Sequence, residues 1–542
     1  MPTNPILKGF NPDPSIVRVG DDYYIATSTF EWYPGVQIHH SCDLKHWRLL
    51  TRPLRRASQL DLRGDPDSCG VWAPCLSYAD GLFWLVYTDV KRYGRTTVGG
   101  SSGASLRDFH NYLVTSPSID GDWSDPIYLN SSGFDPSLFH DDDGHKYLVN
   151  MLWDWRPGHN RFAGIVLQEY SHAARTLIYE PKVIFRGTPL GLTEGPHLYK
   201  RKGFYYLITA EGGTGWNHAV TMARARHLEG PYELHPDTHI LSARSRPDAP
   251  LQRAGHADLV ETRNGETYMV YLCGRPLKNR GRCVLGRETA IEKMAWGVDG
   301  WLRTLDGAAT PALQTPDTRL PELVSTPQSP REDFDARQLP IDFQWLRTPY
   351  PEDIFSLTER AGYLRLYGRE SIGSTFTQAL VARRQQAHCY HAETLMDFEP
   401  KSFQQMAGLV CYYNSSKFHY FFVSSDEKHG RHLRVMSALP DSPQSDAFTP
   451  PVAIPADRPV HLRAETDYER LVFAWRMQDT GDWNWLPQQF DASILSDEAA
   501  VPGTPNFTGA FVGMACHDTS GAVCHADFDY FEYRERDYVV VF

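Results

Sequence analysis

The stretch Asn11-Pro12-Asp13-Pro14-Ser15 returns four more times, in altered form, at almost constant spacing along the chain. The other copies are Val71-Trp72-Ala73-Pro74-Cys75, Gly133-Phe134-Asp135-Pro136-Ser137, Thr193-Glu194-Gly195-Pro196-His197 and Gly255-His256-Ala257-Asp258-Leu259. In alignment, Asp13, Ala73, Asp135, Gly195 and His256 fall in register, at intervals of 60, 62, 60 and 61 residues. This period indicates one structural unit that is repeated five times.

The residues after each stretch predict the shape of that unit. A short apolar segment leads into a turn rich in Asp and Gly, and a second segment dense in Tyr and aliphatic residues comes next, as in Ser15–Val17 and Tyr23–Ile25 around Gly20-Asp21. This pattern is typical of a β-hairpin. Hairpins repeated about every sixty residues, with no helical periodicity between them, favour the radial repetition of a propeller. We therefore predict a five-bladed β-propeller over residues 1–306.

The remainder of the chain predicts a second β domain. Five prolines interrupt residues 307–332, which we interpret as a semi-rigid linker. Beyond it the sixty-residue period is lost, and we interpret segments such as Tyr363–Tyr367 and Leu471–Trp475 as half-buried strands. Many short strands bounded by turns predict a concanavalin-like β-sandwich over residues 333–542. The fold class is all-β.

Composition excludes several classes of partner. A net charge of −12 and a pI near 6.0 disfavour a surface for nucleic acid or anionic membranes. The nine cysteines form no CxxC pair, so the sequence predicts neither a zinc site nor a disulfide framework. The N-terminus has no secretory signal pattern and no stretch approaches a membrane span, from which we expect a cytoplasmic protein.

Three of the five stretches carry an acid, namely Asp13, Asp135 and Glu194. Equivalent positions in successive blades approach each other near the propeller axis, so we expect these carboxyl groups to meet. Two carboxyl groups flanking a glycosidic bond suffice for its hydrolysis, and a third can raise the pKa of the acid. The alternative is that each Asp-Pro only begins a turn, but three acids in register favour a shared site.

Several other residues are candidates for binding a sugar. Phe30, Trp72 and Trp153 lie in or after these stretches, and sugar C–H faces stack on such rings, although blade packing explains many aromatic residues. His256 either contacts a carboxylate, a sugar hydroxyl or a water on an axial cation, or is structural. Arg287 either orients a carboxylate or sugar hydroxyl, or forms a structural salt bridge.

These motifs resemble glycoside hydrolase family 43, and within it the intracellular β-xylosidases that carry a C-terminal sandwich. The blocks Ala26–Trp32, Thr193–Leu198 and Leu285–Ala290 carry the resemblance, which spans nearly the whole chain. It implies an inverting reaction with Asp13 as general base, Glu194 as general acid and Asp135 as the residue that raises the acid's pKa and positions it. It further implies that Phe30, Trp72, Trp153, His256 and Arg287 line a pocket closed at one end.

The resemblance implies an exo-acting β-1,4-xylosidase that removes xylose from the non-reducing end of xylooligosaccharides, with secondary α-L-arabinofuranosidase activity. Its alternatives are a predominant arabinofuranosidase and a non-catalytic sugar-binding propeller. The resemblance implies that no cofactor is required, although a divalent cation such as calcium near His256 is an open alternative. A homo-oligomer, dimer or tetramer, is implied, as is a sandwich aromatic at the pocket, either Phe507 or Phe511. Two departures from the family pattern are Cys75, where many members carry an acid, and an enlarged loop at residues 91–107.

Overall fold

Four-stranded antiparallel sheets succeed one another through the first three hundred residues of the computed structural model, which describes residues 1–93, 107–278, 280–322, 329–440, 447–499 and 505–536. Each sheet begins at or near one of the repeated stretches. Blade 1 consists of β1 (Ser15–Val19), β2 (Asp22–Thr27), β4 (Gln37–Ser41) and β5 (Arg48–Thr51), and β3 (Trp32–Tyr33) leaves it to join another sheet. Blade 2 consists of β6 (Gly70–Ala79), β7 (Leu82–Arg92), β8 (Asp108–Ser116) and β9 (Ile127–Asn130).

The next three blades repeat the same consecutive strand order. Blade 3 consists of β10 (Ser137–His140), β11 (Lys146–Trp153), β12 (Phe162–Ser171) and β13 (Thr176–Phe185). Blade 4 consists of β14 (Glu194–Arg201), β15 (Phe204–Glu211), β16 (Ala219–Ala225) and β17 (Glu233–Ser242). Blade 5 consists of β18 (Gln252–Glu261), β19 (Thr267–Gly274), β20 (Glu288–Trp296) and β21 (Leu302–Thr304).

The innermost strands are tied to each other by polar side chains that belong to the repeated stretches. Ser15 Oγ accepts a hydrogen bond from the Leu76 amide at 2.7 Å, which joins blade 1 to blade 2. The amide of Ile16 donates to Asp258 Oδ2 at 2.8 Å, which joins blade 1 to blade 5. The N-terminal segment adds an isolated bridge between Leu7 and Thr289 of β20. Within the part of the propeller that the structure describes, each blade is built from its own consecutive strands, and these contacts connect the first blade to the last.

Two larger sheets form the second domain. One contains β22 (Arg331–Glu332), β24 (Phe355–Ser356), β25 (Leu364–Tyr367), β27 (Cys389–Asp397), β33 (Val460–Asp467), β34 (Arg470–Met477), β35 (Asn484–Trp485), β36 (Phe490–Asp491) and β38 (His525–Glu535). The other contains β23 (Gln344–Leu346), β26 (Ala379–Arg384), β28 (Gln405–Asn414), β29 (Lys417–Asp426), β30 (Gly430–Ala438), β31 (Ala447–Phe448), β32 (Val452–Ala453) and β37 (Phe511–Asp518), and it is completed by β3. The prediction of an all-β chain with a five-bladed propeller and a sandwich is confirmed.

Strand β3 makes the two domains share a sheet. Trp345 pairs with Tyr33, and Leu346 pairs with Trp32. The described residues contain two short 3₁₀ helices, Pro351–Asp353 and Ala492–Ile494. No helix among the described residues combines the length and the apolar character that crossing a bilayer demands.

Candidate active site

The backbone at the repeated stretches takes an unusual conformation that sets the site. The φ angles of Asp13, Asp135, Gly195 and His256 are 54°, 54°, 57° and 47°, all in the left-handed region. A non-glycine residue held there costs of order 1–3 kcal/mol, and the surrounding structure must enforce it. Four of the five in-register positions therefore share a left-handed backbone conformation, which strains the three that are not glycine.

Asp13 is held by two strong donors. The Arg287 guanidinium donates from Nη1 to Asp13 Oδ1 at 2.7 Å, and Ser28 Oγ donates to Asp13 Oδ2 at 2.7 Å. Asp13 exposes only 5% of its surface, and Arg287 only 3%. Both donors reach the carboxyl group of Asp13 from inside the protein, and a charge-assisted hydrogen bond of this kind is among the stronger ones in proteins. Arg287 and Ser28 therefore fix the position of the Asp13 carboxyl group in the site.

Asp135 lies close to the same group of atoms. The amide of Gly195 donates to Asp135 Oδ2 at 3.1 Å, and His256 Nδ1 lies 3.9 Å from that oxygen and 3.7 Å from Asp13 Oδ1. Burial, followed by the charges of Glu194 and Asp13, raises the pKa of Asp135 well above its usual range. The imidazole of His256 therefore lies between two of the predicted acids.

Glu194 immediately precedes the glycine that contacts Asp135, and its side chain is 8% exposed. Burial, and then the negative charge of Asp13, raises the pKa of Glu194 to about 8, although Arg287 opposes the shift. Glu194 therefore carries a proton at neutral pH while Asp13 lies beside a cation. Environments that differ in this way are how paired carboxyl groups take the roles of acid and base.

Gly195 allows His256 to approach. A Cβ atom on this glycine would lie 3.1 Å from ring atoms of His256, and the φ of 57° would strain any other residue. Burial lowers the pKa of His256 to about 4, against the opposing charge of Asp13. His256 is therefore neutral near pH 7. One nitrogen of its ring carries a hydrogen and can donate a hydrogen bond, and the other can accept one.

Aromatic rings surround the acids. The centroids of Phe30 and Trp72 lie 5.7 Å apart, and the ring of Phe507 lies 6.5 Å from Phe30 and 5.5 Å from Trp72. Phe507 comes from the sandwich domain, and the Arg287 guanidinium donates to its carbonyl oxygen at 2.8 Å. Arg287 also lies over the Phe30 ring at 5.3 Å. Arg287 therefore contacts Asp13, the Phe30 ring and the second domain.

Trp153 lies further out on the same aromatic surface. Its ring centroid is 6.3 Å from Tyr93, which in turn is 5.0 Å from Trp72. Burial, followed by the charge of Glu194, raises the pKa of Tyr93 to about 12, which places Tyr93 near the acid. The structure therefore brings together all eight predicted site residues, with Trp153 connected through Tyr93.

Of the two sandwich aromatics, Phe507 is the one beside the predicted site. Phe511 is fully buried and stacks on Trp32, with centroids 3.7 Å apart and ring planes 12° from parallel. Cys75 is buried on β6, where burial and then the charge of Asp258 raise its thiol pKa to about 12. Of the loop at 91–107, residues 94–106 lie outside the described residues.

Four further residues contribute to this site without having been predicted from the sequence. Ser28, which donates to Asp13, lies inside the block Ala26–Trp32 but had no signal of its own. Ser68 accepts the Trp72 indole N–H through its carbonyl oxygen and the Phe507 amide through its hydroxyl. The sequence analysis placed Tyr93 only within the enlarged loop at 91–107, and Gly195 only within a repeated stretch. Their roles depend on contacts between blades, which a single sequence does not display.

Comparison with known proteins gives consistent matches. Residues 2–302 match the model of glycosyl hydrolases family 43, and residues 331–534 match the β-xylosidase C-terminal concanavalin A-like domain. The chain is 52% identical to xylosidase/arabinosidase 43B of Humicola insolens over 98% of this chain and 97% of that protein. It is 49% identical to a β-xylosidase of Bacillus subtilis, over 98% and 99%. The crystal structure of a xylan β-1,4-xylosidase from Bacillus halodurans superimposes with a TM-score of 0.95 at 50% identity, covering 99% of this chain and 100% of that one.

Proposed function

Because the chain belongs to glycosyl hydrolase family 43, we propose that it removes single xylose units from the non-reducing ends of β-1,4-linked xylooligosaccharides by an inverting mechanism. One observation carries the proposal. Three buried carboxyl groups from separate blades converge around one histidine and one arginine, with the pKa of one acid raised to about 8. Relatives named as β-xylosidases or xylosidase/arabinosidases at about half identity support the substrate class.

In the proposed reaction Asp13 is the general base. Its negative charge is stabilised by Arg287 and Ser28, so it can accept a proton from a water molecule that attacks the anomeric carbon. That attack inverts the configuration at the anomeric carbon because the water approaches from the face opposite the leaving oxygen. The hydrogen bond from Arg287 holds the Asp13 carboxylate in one orientation for this step.

Glu194 is the proposed general acid. The proton that it retains at neutral pH passes to the glycosidic oxygen as the bond breaks, so that the leaving sugar departs as a neutral alcohol. Asp135 supports this step by accepting the amide of Gly195, the residue after the acid, which positions the backbone of Glu194. The charge of Glu194 also raises the pKa of Asp135, so the two carboxyl groups titrate as a pair.

The proposed exo action follows from how the site is closed. Phe507 from the sandwich lies against Phe30 and Trp72, and the three acids expose only 5–8% of their surface. Such a pocket admits one terminal sugar. A time course on xylohexaose should therefore give xylose and xylopentaose first, and internal fragments such as xylotriose should appear only later. Early xylotriose in quantity would contradict exo action.

A secondary α-L-arabinofuranosidase activity is a second candidate, favoured by the name of the Humicola insolens relative, a xylosidase/arabinosidase. Arabinofuranose and xylose differ near the scissile bond by little more than one hydroxymethyl group, which a pocket discriminates only weakly. The ratio of kcat/KM on xylobiose and on an aryl arabinofuranoside measures the balance. A xylobiose-to-arabinofuranoside ratio above one supports β-xylosidase as the main activity. A ratio below one makes α-L-arabinofuranosidase the main activity.

The proposed chemistry uses protein groups alone and needs no cofactor. The alternative of an axial calcium ion near His256 predicts that chelation abolishes activity and that calcium restores it. We also propose a homo-oligomer, dimer or tetramer, for which sedimentation of the full chain is the direct test.

A further inference from the structure

A cluster of three possible metal ligands lies on blade 1, at the opposite end of β1 from Asp13. Strand β1 has five residues, so it separates the two places by about 16 Å. Asp22 begins β2, His40 lies in β4 and Cys42 comes directly after β4. Because Tyr24 pairs with His40 across the two strands, and side chains alternate between faces, Asp22, His40 and Cys42 share one face of the blade.

The three ligand atoms lie close to each other. His40 Nε2 is 2.7 Å from Asp22 Oδ1, and Cys42 Sγ is 3.2 Å from the same oxygen and 3.6 Å from Nε2. All three ligand atoms lie within 4.8 Å of one another, so one ion can reach them all, although the 2.7 Å hydrogen bond between His40 and Asp22 must lengthen to the roughly 3.3 Å that separates an N and an O ligand in a tetrahedral shell. The Asp22 side chain is 44% exposed, so an ion can reach the cluster from solvent.

The same arrangement does not suit nucleophilic catalysis. In a thiol triad the carboxylate orients the imidazole through one ring nitrogen, and the thiol meets the other. Here Asp22 and Cys42 both approach Nε2. The two remaining interpretations are a hydrogen-bonded structural cluster and a metal site.

We propose that Asp22, His40 and Cys42 form a zinc-binding site on blade 1. Carboxylate, imidazole and thiolate together are a donor set that zinc accepts, and three protein ligands leave a fourth position for water. On binding, the Cys42 thiol gives its proton to solvent and the sulfur becomes a ligand. His40 binds through Nε2 and carries its own proton on Nδ1.

A neighbouring cation opposes this site. Arg48 lies directly across from His40 in the next strand, and its Nε donates to His40 Nδ1 at 3.4 Å. That hydrogen bond requires an unprotonated Nδ1, whereas zinc at Nε2 requires a protonated one. Arg48 also repels a divalent ion. The Arg48 side chain must therefore turn away as the metal binds, and its removal should tighten binding.

The experiment uses the full chain, stripped with a chelator and titrated with Co²⁺ as a spectroscopic probe. Tetrahedral Co²⁺ bound to a thiolate absorbs in the near ultraviolet by charge transfer and shows visible d–d bands. We expect both in the wild-type protein, at one equivalent per chain, and displacement of Co²⁺ by Zn²⁺. Xylosidase activity reports that each variant remains folded, because these residues lie outside the proposed catalytic group.

Matched variants locate the ligand sulfur. Cys42→Ser should abolish the charge-transfer band, whereas Cys524→Ser, at the other partly exposed cysteine, should leave it unchanged. His40→Gln should weaken the visible bands, and Arg48→Ala should increase Co²⁺ affinity by on the order of tenfold through the loss of repulsion. Absence of a charge-transfer band in saturating Co²⁺, or its persistence in Cys42→Ser, would overturn the proposal and leave the structural cluster.

Discussion

The different surroundings of Asp13 and Glu194 are the residue-scale feature that distinguishes these two buried acids. Asp13 accepts hydrogen bonds from Arg287 and Ser28, whereas at Glu194 the charge of Arg287 opposes the effect of burial on the pKa but does not cancel it. Burial raises the pKa of a carboxyl group, and the groups around it decide how large the shift is. Asp13 then raises the pKa of Glu194 in turn.

The first prediction concerns the proton on Glu194. Glu194→Gln removes the acid but keeps the shape of the side chain, so kcat on xylobiose should fall by about 10²–10⁴-fold. Dinitrophenyl xyloside has a leaving group that needs no proton, and on it the variant should keep most of its activity. Steady-state kinetics on the two substrates check this. An equal loss on both would contradict the assignment of the acid.

The second prediction concerns pH. The proposed acid works only when protonated, and its pKa is raised to about 8. The value of kcat/KM on xylobiose should therefore be retained below this pH and fall by ~tenfold per unit above it. Because Asp135 and Glu194 interact, this alkaline limb of the pH profile reflects the titration of both carboxyl groups together. Glu194→Gln on dinitrophenyl xyloside is the control and should lose the limb. A limb unchanged in that variant would assign it to another group.

At the residue scale, the three acids could be predicted from the sequence, but the residues that hold them in place could not. Asp13 and Asp135 occupy in-register positions of the repeat, and Glu194 directly precedes the in-register Gly195, so the sequence alone indicates that the three acids share an environment. Ser28 and Ser68 are common residues at ordinary positions, and only their contacts reveal a role. The interpretation of Arg287 stayed open between salt bridge and site residue, and the structure shows an ion pair with Asp13 within the site.

At the scale of elements, the two sandwich aromatics belong to different environments. Phe507 lies in the segment before β37 and is only partly buried, whereas Phe511 begins β37 and is enclosed between Trp32, Phe10 and the Arg384 guanidinium. Phe507 therefore faces the aromatic residues of the site, whereas Phe511 packs between the two domains.

The third prediction separates these environments. Phe511→Ala removes a buried ring and should lower the free energy of unfolding by about 3–5 kcal/mol. Phe507→Ala is its matched control and should cost less stability, but it should lower kcat/KM on xylobiose by at least about tenfold, because it opens the proposed pocket. Denaturant titration and steady-state kinetics measure both. The reverse pattern, with Phe511 controlling catalysis, would contradict the placement.

Strand existence was easier to predict than strand burial. Leu471–Trp475 was interpreted as a half-buried strand and does lie in β34, but Leu471, Val472, Phe473 and Ala474 are all buried. Strand β33 pairs with one edge of β34, and β35 and β36 pair with the other edge, so β34 is an inner strand of its sheet. A pattern within one strand carries no information about what later segments place over it.

At the scale of the whole molecule, the propeller and the sandwich form one continuous structure. Strand β3 leaves blade 1 to pair with β23, and the Arg347 guanidinium, fully buried, donates to Asp67 at 2.8 Å. The sixty-residue period predicted the ring because it repeats in sequence. The exchange of β3 was not predictable, because it depends on a pairing between residues about three hundred positions apart.

That unity matters for the reaction, since groups from blades 1, 3 and 4 and from the second domain must hold one geometry. Asp13, Asp135 and Glu194 can act as proposed only if the ring keeps them around one glycosidic bond. Phe507 reaches that place only through the fixed contact between the domains, where Arg287 binds its carbonyl oxygen.

The most direct test of the account is the configuration of the first xylose released. Proton NMR of xylobiose hydrolysis, recorded before mutarotation, reports the anomer formed by the enzyme. Base-assisted attack by water through Asp13 predicts α-xylose at early times. Early β-xylose would contradict the account, because it would mean that a carboxylate attacks the sugar directly.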